Sequence, residues 1–222
     1  MCFRQETLFL TTNENYILTM PESFNKSRKV QLMNTASKMF REKGYSATSM
    51  RDIANALGIE AASLYHYIKS KDELLENICF EMAEKFNEAI REVNDIYFNA
   101  EEKLRMAIRL HVKIITENLD QSAVFLNEWK SLREKELSRY KELRGHYENE
   151  FHSIIELGIR EDVFDHVDIK FASLTILSSV NWIYHWYQPD GKFSPEEIAT
   201  RISDIILGGL KKKLITEPNY KP

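Results

Sequence analysis

The sequence is short of the residues that punctuate or cross-link a chain. Its 222 residues include seven Gly and five Pro, too few for the frequent turns of an all-β domain. Two cysteines, Cys2 and Cys79, make no disulfide framework and belong to no Cys-x-x-Cys pair, which points to a reducing cytosol. No apolar run approaches the roughly 18 residues that span a bilayer, so a cytoplasmic protein without a membrane partner is expected. Residues 1–20 lack an apolar stretch of secretory length and a helical period; they are set aside as a tail, or as lying ahead of a start at Met20. The six histidines show no His-x-x-x-His pair. P-loop, nucleophile-elbow and dinucleotide-binding glycine patterns are missing too. No metal, no cofactor and no catalytic residue is therefore assigned.

What is present is helical periodicity over most of the chain and a 43% hydrophobic content, enough for a sizeable core. The net charge of −4 advertises no nucleic-acid partner. Its distribution is uneven, however: residues 21–80 carry nine Lys/Arg against seven Asp/Glu, and residues 81–222 carry twenty against twenty-five. A mildly basic head on an acidic body suits a DNA-reading unit. The expected fold is all-α, with an amino-terminal three-helix unit over 21–78 and a helical domain over 79–222.

A first helix over about 25–43 puts Val30, Met33, Ala36 and Phe40 on one face and stops at Gly44. Ser49 caps a short helix carrying Ile53, Ala54 and Leu57, which halts at Gly58; a second short helix runs from about Ala61 to Tyr67. Ser70 to Glu73 forms a capping box opening a long helix with Leu75, Ile78, Met82, Phe86, Ile90 and Val93 on one side. Further helices are expected over 101–118, over 122–158 with a kink at Gly145, over 168–187, and from Pro195, capped by Ser194 and Glu197, to about 214. Two helices as short as those between Ser49 and Tyr67 cannot stand alone. They must pack on their neighbours, which fixes the second as a protruding rod of the kind that enters a major groove.

The run Phe40-x-x-x-Gly44-Tyr45-x-Ala47-Thr48-Ser49-Met50-Arg51-Asp52-Ile53-Ala54, followed by Leu57-Gly58-Ile59, Ser63-Leu64-Tyr65-His66-Tyr67 and Lys69-x-Lys71-Asp72-Glu73-Leu74-Leu75, resembles the DNA-binding domain of TetR-family regulators over about residues 26–78. The resemblance implies that Arg51, Ser63, Tyr65 and His66 face the groove. It also implies that Tyr67, Lys69 and Lys71 meet phosphates, with Thr48 and Ser49 at the backbone. Glu60-Ala61-Ala62 departs from the common pattern, leaving Ala61 and Ala62 only apolar contact with thymine methyls. Outside the motif, Tyr65 and Tyr67 would read as ordinary boundary aromatics.

The family resemblance further implies a homodimer built on the last two helices, through Phe171, Leu174, Ile202, Ile205, Ile206 and Gly209. A second, looser resemblance lies in Phe125-x-x-x-Trp129-x-x-Leu132, Arg144-x-x-Tyr147-x-x-x-Phe151 and Asn181-Trp182-x-x-x-Trp186-Tyr187-x-Pro189-x-Gly191. It is similar to the ligand domains of repressors of fatty-acid and sterol-ring catabolism, which respond to acyl-coenzyme A thioesters. Such a ligand asks for cations at its phosphates and an apolar tunnel for its acyl group. Arg105, Arg109 and Lys113 share a helix face, Arg133 and Arg144 lie on the next long helix, and Phe125, Trp129, Trp182 and Trp186 are tunnel candidates. The bland alternatives stand beside these: a solvated cationic stripe, and aromatics serving as core or dimer contact. A hydrophobic drug-like effector of an efflux regulator is the second functional reading, and a helical thioester enzyme or carrier without DNA affinity is the third.

Overall fold

The computed structural model describes residues 22–211, all helix, turn and loop apart from one isolated bridge between Phe164 and Lys211. The tail over 1–20 and the expected end of the last helix beyond Lys211 lie outside the described residues.

Three helices make the head. Helix α1 (Glu22–Lys43) buries Leu32, Met33, Ala36 and Phe40, whereas Val30, expected on the same face, is 52% exposed. It ends where Gly44 takes a left-handed turn (φ +87°) and donates its N–H to the Phe40 carbonyl at 2.9 Å. Helix α2 (Met50–Ala56) starts on a complete capping box. The Ser49 hydroxyl accepts the Asp52 N–H (3.1 Å), and the Asp52 carboxylate accepts the Ser49 N–H (2.9 Å). Gly58, at φ +68°, makes the turn into α3 (Ala61–Leu64). The regular helix of α3 stops earlier than expected, and Tyr65–Tyr67 continue it as a turn. Ile53, Ala54 and Leu64 are fully buried, so both short helices are held by packing, as their length requires.

Helix α4 (Lys71–Asp95) buries Leu74, Leu75, Ile78, Met82, Phe86, Ile90 and Val93. It runs unbroken through residue 78, so head and body share one rod. Its cap is offset from the expected box: Ser70 accepts the Glu73 N–H (3.1 Å), but the Glu73 carboxylate takes the N–H of Lys69 (2.7 Å). The body continues with α5 (Ala100–Glu117), α6 (Leu119–Asn127), α7 (Glu134–Arg160), α8 (Ile169–Asn181), α9 (Ile183–Trp186) and α10 (Pro195–Leu210).

Two expected helices are divided. The stretch over 122–158 breaks at 128–133, where a 3₁₀ turn (Trp129–Ser131) is followed by extended backbone at Leu132 and Arg133. Trp129 and Leu132 stay packed on the core across the break, and α7 passes through Gly145 uninterrupted. The stretch over 168–187 divides at Trp182. Near the far end, Gly158 lets the Phe164 ring lie where any Cβ would sit, 2.1 Å away, and Asp165 donates its N–H to the Leu210 carbonyl (2.8 Å), pinning the end of α10.

Candidate nucleic-acid interface and effector cavity

The surface around α3 is the candidate interface. Tyr65 and His66 are exposed on the turn that ends α3, with Arg51 and Ser49 exposed on α2 and Lys69 beyond. Ala61, Ser63 and Tyr67 are half-buried, and Ala61 and Tyr67 rest against the core, so the outward small residue of the probe is Ala62. Hydrogen bonding to Ser49 holds the Asp52 carboxyl below the usual carboxylate range, keeping the cap ionised.

Two expected phosphate ligands face inward. Thr48 is 1% exposed, and its hydroxyl donates to the Gly44 carbonyl at 2.9 Å, so its side chain is withdrawn from any DNA surface. The Lys71 ammonium donates to the carbonyls of Tyr45 and Thr48, each at 2.9 Å, and lies over the Tyr45 ring at 4.3 Å. The Tyr45 hydroxyl in turn donates to Asp72, and burial raises its pKa further. Lys71 is thus a brace joining the α1–α2 turn to the start of α4, with two of its three N–H groups committed.

The body holds a cavity of about 460 Å³, within the range of small-molecule sites. Phe86 and Asn87 reach it from α4, His111 from α5, Phe125 and Leu126 from α6, Tyr140, Arg144 and Tyr147 from α7, and Leu177 and Asn181 from α8. Trp129, Trp182 and Tyr184 also line it. Trp129 stacks on Tyr140 with centroids 5.7 Å apart, and Arg144 and Lys130 lie over the Trp129 ring at 5.4 and 5.5 Å. Burial raises the phenol pKa of both Tyr140 and Tyr147.

Four of the nine residues expected at the ligand therefore line this cavity: Phe125, Trp129, Arg144 and Trp182. The others are elsewhere. Arg105 is bonded to Glu101 (3.2 Å) and to Asp204 of α10 (2.8 Å), and those partners raise its pKa. Arg109 borders a shallower cleft between α5 and α10, Lys113 sits 3.9 Å from Glu117, and Trp186 is exposed outside the cavity. Arg133 is bound to Glu76 of α4 and steadies the break before α7. The shared helix face was right, but it points at α10, not at the cavity. Sequence reasoning missed His111, one of six histidines and in no motif; Tyr147 and Asn181 figured only as pattern positions.

Helix α6 touches both regions. On one side, Asp120 accepts from Arg41 (2.9 Å), Gln121 donates to Asn34 (2.7 Å), and Glu128 just beyond accepts the Tyr45 N–H (3.3 Å). On the other, Phe125, Leu126 and Asn127 are cavity wall. Of the residues expected between subunits, Phe171 (72%) and Ile205 (77%) are the most exposed, with Leu174 and Gly209 also exposed. Ile202 and Ile206 are half-buried against the protein's own core. Leu174 also lines the cavity.

A helix-turn-helix head on a helical body with an effector-sized cavity defines a DNA-binding transcriptional regulator. A sequence model for "Bacterial regulatory proteins, tetR family" matches residues 32–78, and one for "Tetracyclin repressor-like, C-terminal domain" matches residues 98–210. The chain belongs to the TetR family. It is similar to the HTH-type transcriptional repressor KstR2 of Rhodococcus jostii, 27% identical over 191 residues, which are 85% of this chain and 93% of that protein. It is also similar to the fatty acid metabolism regulator protein of Bacillus subtilis, 20% identical over 85% of this chain and 98% of that one. Both resemblances noted in the sequence are thereby met. Among solved structures, the TetR-family regulator PfmR from Thermus thermophilus superposes with a TM-score of 0.74 at 34% identity, covering 82% of this chain and 99% of that one. AibR, solved in complex with isovaleryl coenzyme A and operator DNA, gives a TM-score of 0.71 at 27% identity over 80% of this chain and 97% of that one.

Proposed function

We propose that the protein is a homodimeric repressor released from its operator when an acyl-coenzyme A thioester fills the body cavity. The observation that carries this reading is the double role of α6, whose one side forms cavity wall while Asp120, Gln121 and the adjoining Glu128 hold the head. A ligand pressing on Phe125 acts on the same nine-residue helix that fixes the tilt of α1. Operator binding by two heads needs a set distance between them, and a ligand favours release only to the extent that it binds the released arrangement more tightly. Phe171, Leu174, Trp182 and Ile205 give α8, α10 and the Trp182 corner an apolar surface fit for a second copy. At the cavity, Arg144 lies over Trp129, offering a cation beside an aromatic platform, and the exposed Lys130 lies over the same ring. The relatives named above support this choice of ligand class.

A second reading, release by an uncharged hydrophobic effector, is favoured by one observation. Arg105, Arg109, Lys113 and Arg133 stay away from the cavity, so few cations serve the phosphates of coenzyme A. A mobility-shift assay on the DNA upstream of the coding region separates the two. Release by decanoyl- or palmitoyl-coenzyme A, but not by the free acids, supports the thioester. Indifference to every thioester overturns it, and absence of salt-sensitive DNA binding overturns the repressor itself.

A further inference from the structure

We infer that His111 is a hydrogen-bond donor to an oxygen atom of the effector and that it selects oxygen-bearing molecules over plain hydrocarbon ones. The inference rests on the cavity being the effector site, and it is independent of whether that effector carries coenzyme A. His111 lies in the middle of α5, is 2% exposed and lines the cavity. One ring nitrogen, Nδ1, is 2.8 Å from the Tyr147 hydroxyl. The other, Nε2, is buried without a hydrogen-bond partner among the described residues. The Asn181 side chain acts on the same ring, favouring its charged form, without reaching hydrogen-bond geometry at Nε2. Phe86, centred 4.7 Å away, offers the ring no acceptor.

The neighbours of the ring favour one placement of its proton. Burial pushes the imidazole pKa down to about 3, so the ring is neutral and holds one proton. Burial also raises the Tyr147 pKa, so the phenol keeps its own proton. Among the described residues the hydroxyl has one hydrogen-bond partner, Nδ1. The phenol donates to Nδ1, and the ring proton is left on Nε2. A buried N–H without a well-formed hydrogen bond is uncommon in a finished protein interior, and here the ring that carries it is part of a cavity wall. A carbonyl or hydroxyl oxygen on a bound molecule completes it. Sites built to hydrogen-bond a substrate discriminate sharply against analogues that lack the group, whereas apolar contacts discriminate weakly. The oxygen has two sources: the thioester carbonyl itself, or a ketone or hydroxyl on the acyl body.

Calorimetric titration of the full chain with decanoyl-coenzyme A and with its oxo isomers, bearing one ketone at successive chain positions, tests this. If the acyl body supplies the oxygen, one isomer binds wild type at least tenfold more tightly than decanoyl-coenzyme A, and His111→Phe abolishes that gain while still binding decanoyl-coenzyme A. If the thioester supplies it, no isomer gains, and His111→Phe weakens decanoyl-coenzyme A itself about tenfold. Either result supports the donor role. Equal affinities for all isomers, unchanged in His111→Phe, overturn it while the thioester reading stands. Should no thioester bind, that reading fails alone, and the donor is judged by thermal shift with cyclododecanone against cyclododecane. Stabilisation by the ketone in wild type but not in His111→Phe supports the donor; equal or absent shifts overturn it. His111→Gln, which keeps a donor at similar reach, restores part of the discrimination, so a folding defect in His111→Phe leaves the outcome readable.

Discussion

Both halves of the molecule pair most of their buried polar groups, but among the described residues the unpaired ones fall in the body alone. In the head the Ser37 hydroxyl donates to the Met33 carbonyl (2.7 Å), Thr48 to Gly44, and Lys71 to two carbonyls at once. In the body, among the described residues, the buried side-chain atoms without a hydrogen-bond partner are His111 Nε2, Ser122 Oγ and His152 Nε2, the last 3.6 Å from Glu148. A satisfied network rigidifies, while an unsatisfied one stores a penalty of about 1–3 kcal/mol per group that a new partner can relieve. The head is therefore complete before it meets DNA, as a probe must be. The body is left incomplete at one residue of its cavity wall, His111.

The sharpest way to break this contrast is to spoil the head alone. Leu64→Ala removes a fully buried side chain where α3 meets the core, and costs about 2–5 kcal/mol by urea unfolding. Operator binding is lost, while ligand titration still reports an intact body. Loss of both would mean the two halves are one cooperative unit. A pH series addresses the body. His111 titrates near its ordinary value when unfolded but only at about 3 when folded. Between those values the unfolded chain holds the extra proton, so stability falls as pH drops below about 6.5, by at most about 1.4 kcal/mol per pH unit from this one group. His111→Phe flattens that part of the profile. Thr48→Val, which removes the hydroxyl bonded to Gly44, costs about 1 kcal/mol, and leaves operator affinity in a mobility-shift assay within about twofold because that hydroxyl is turned to the Gly44 carbonyl. A tenfold loss of operator affinity in a variant that still folds would return Thr48 to the interface. Last and smallest, Arg109→Ala and Lys113→Ala shift effector affinity less than twofold by calorimetry; a tenfold loss would move the ligand's charged end to α5.

What could be seen in advance followed the range of the forces. The caps at Ser49, Ser70 and Ser194, the left-handed stops at Gly44 and Gly58, and the apolar face of α4 are set by neighbours within four residues, and periodicity and capping chemistry expose them. The break at 128–133 escaped because Trp129 and Leu132 remain packed on the core across it, so the apolar pattern does not lapse. The cavity was legible only in part: Phe125, Trp129, Arg144 and Trp182 came from short patterns, but its wall runs from Ala83 to Tyr184 and no local pattern joins those pieces. Spacing put Arg105, Arg109 and Lys113 on one face, but only the fold shows that Asp204 of α10 stands opposite. His111 carried no signal beyond being a histidine among apolar neighbours, and its unpaired nitrogen exists only once α5 and α7 are side by side.

The position of α6 has a consequence for how such a regulator changes over generations. A substitution at Phe125 or Leu126 alters the shape of the binding space and the seating of the DNA head together, so every experiment in specificity made there is also an experiment in repression. On the opposite wall, Tyr140 of the long α7 is itself tied to α6, its hydroxyl donating to the Phe125 carbonyl (2.9 Å), whereas Leu143 and Tyr147 make no hydrogen bond to α6 among the described residues. Drift toward new inducers should accumulate at those two positions, with α6 held nearly constant, and a library confined to them should yield altered inducers without constitutive expression.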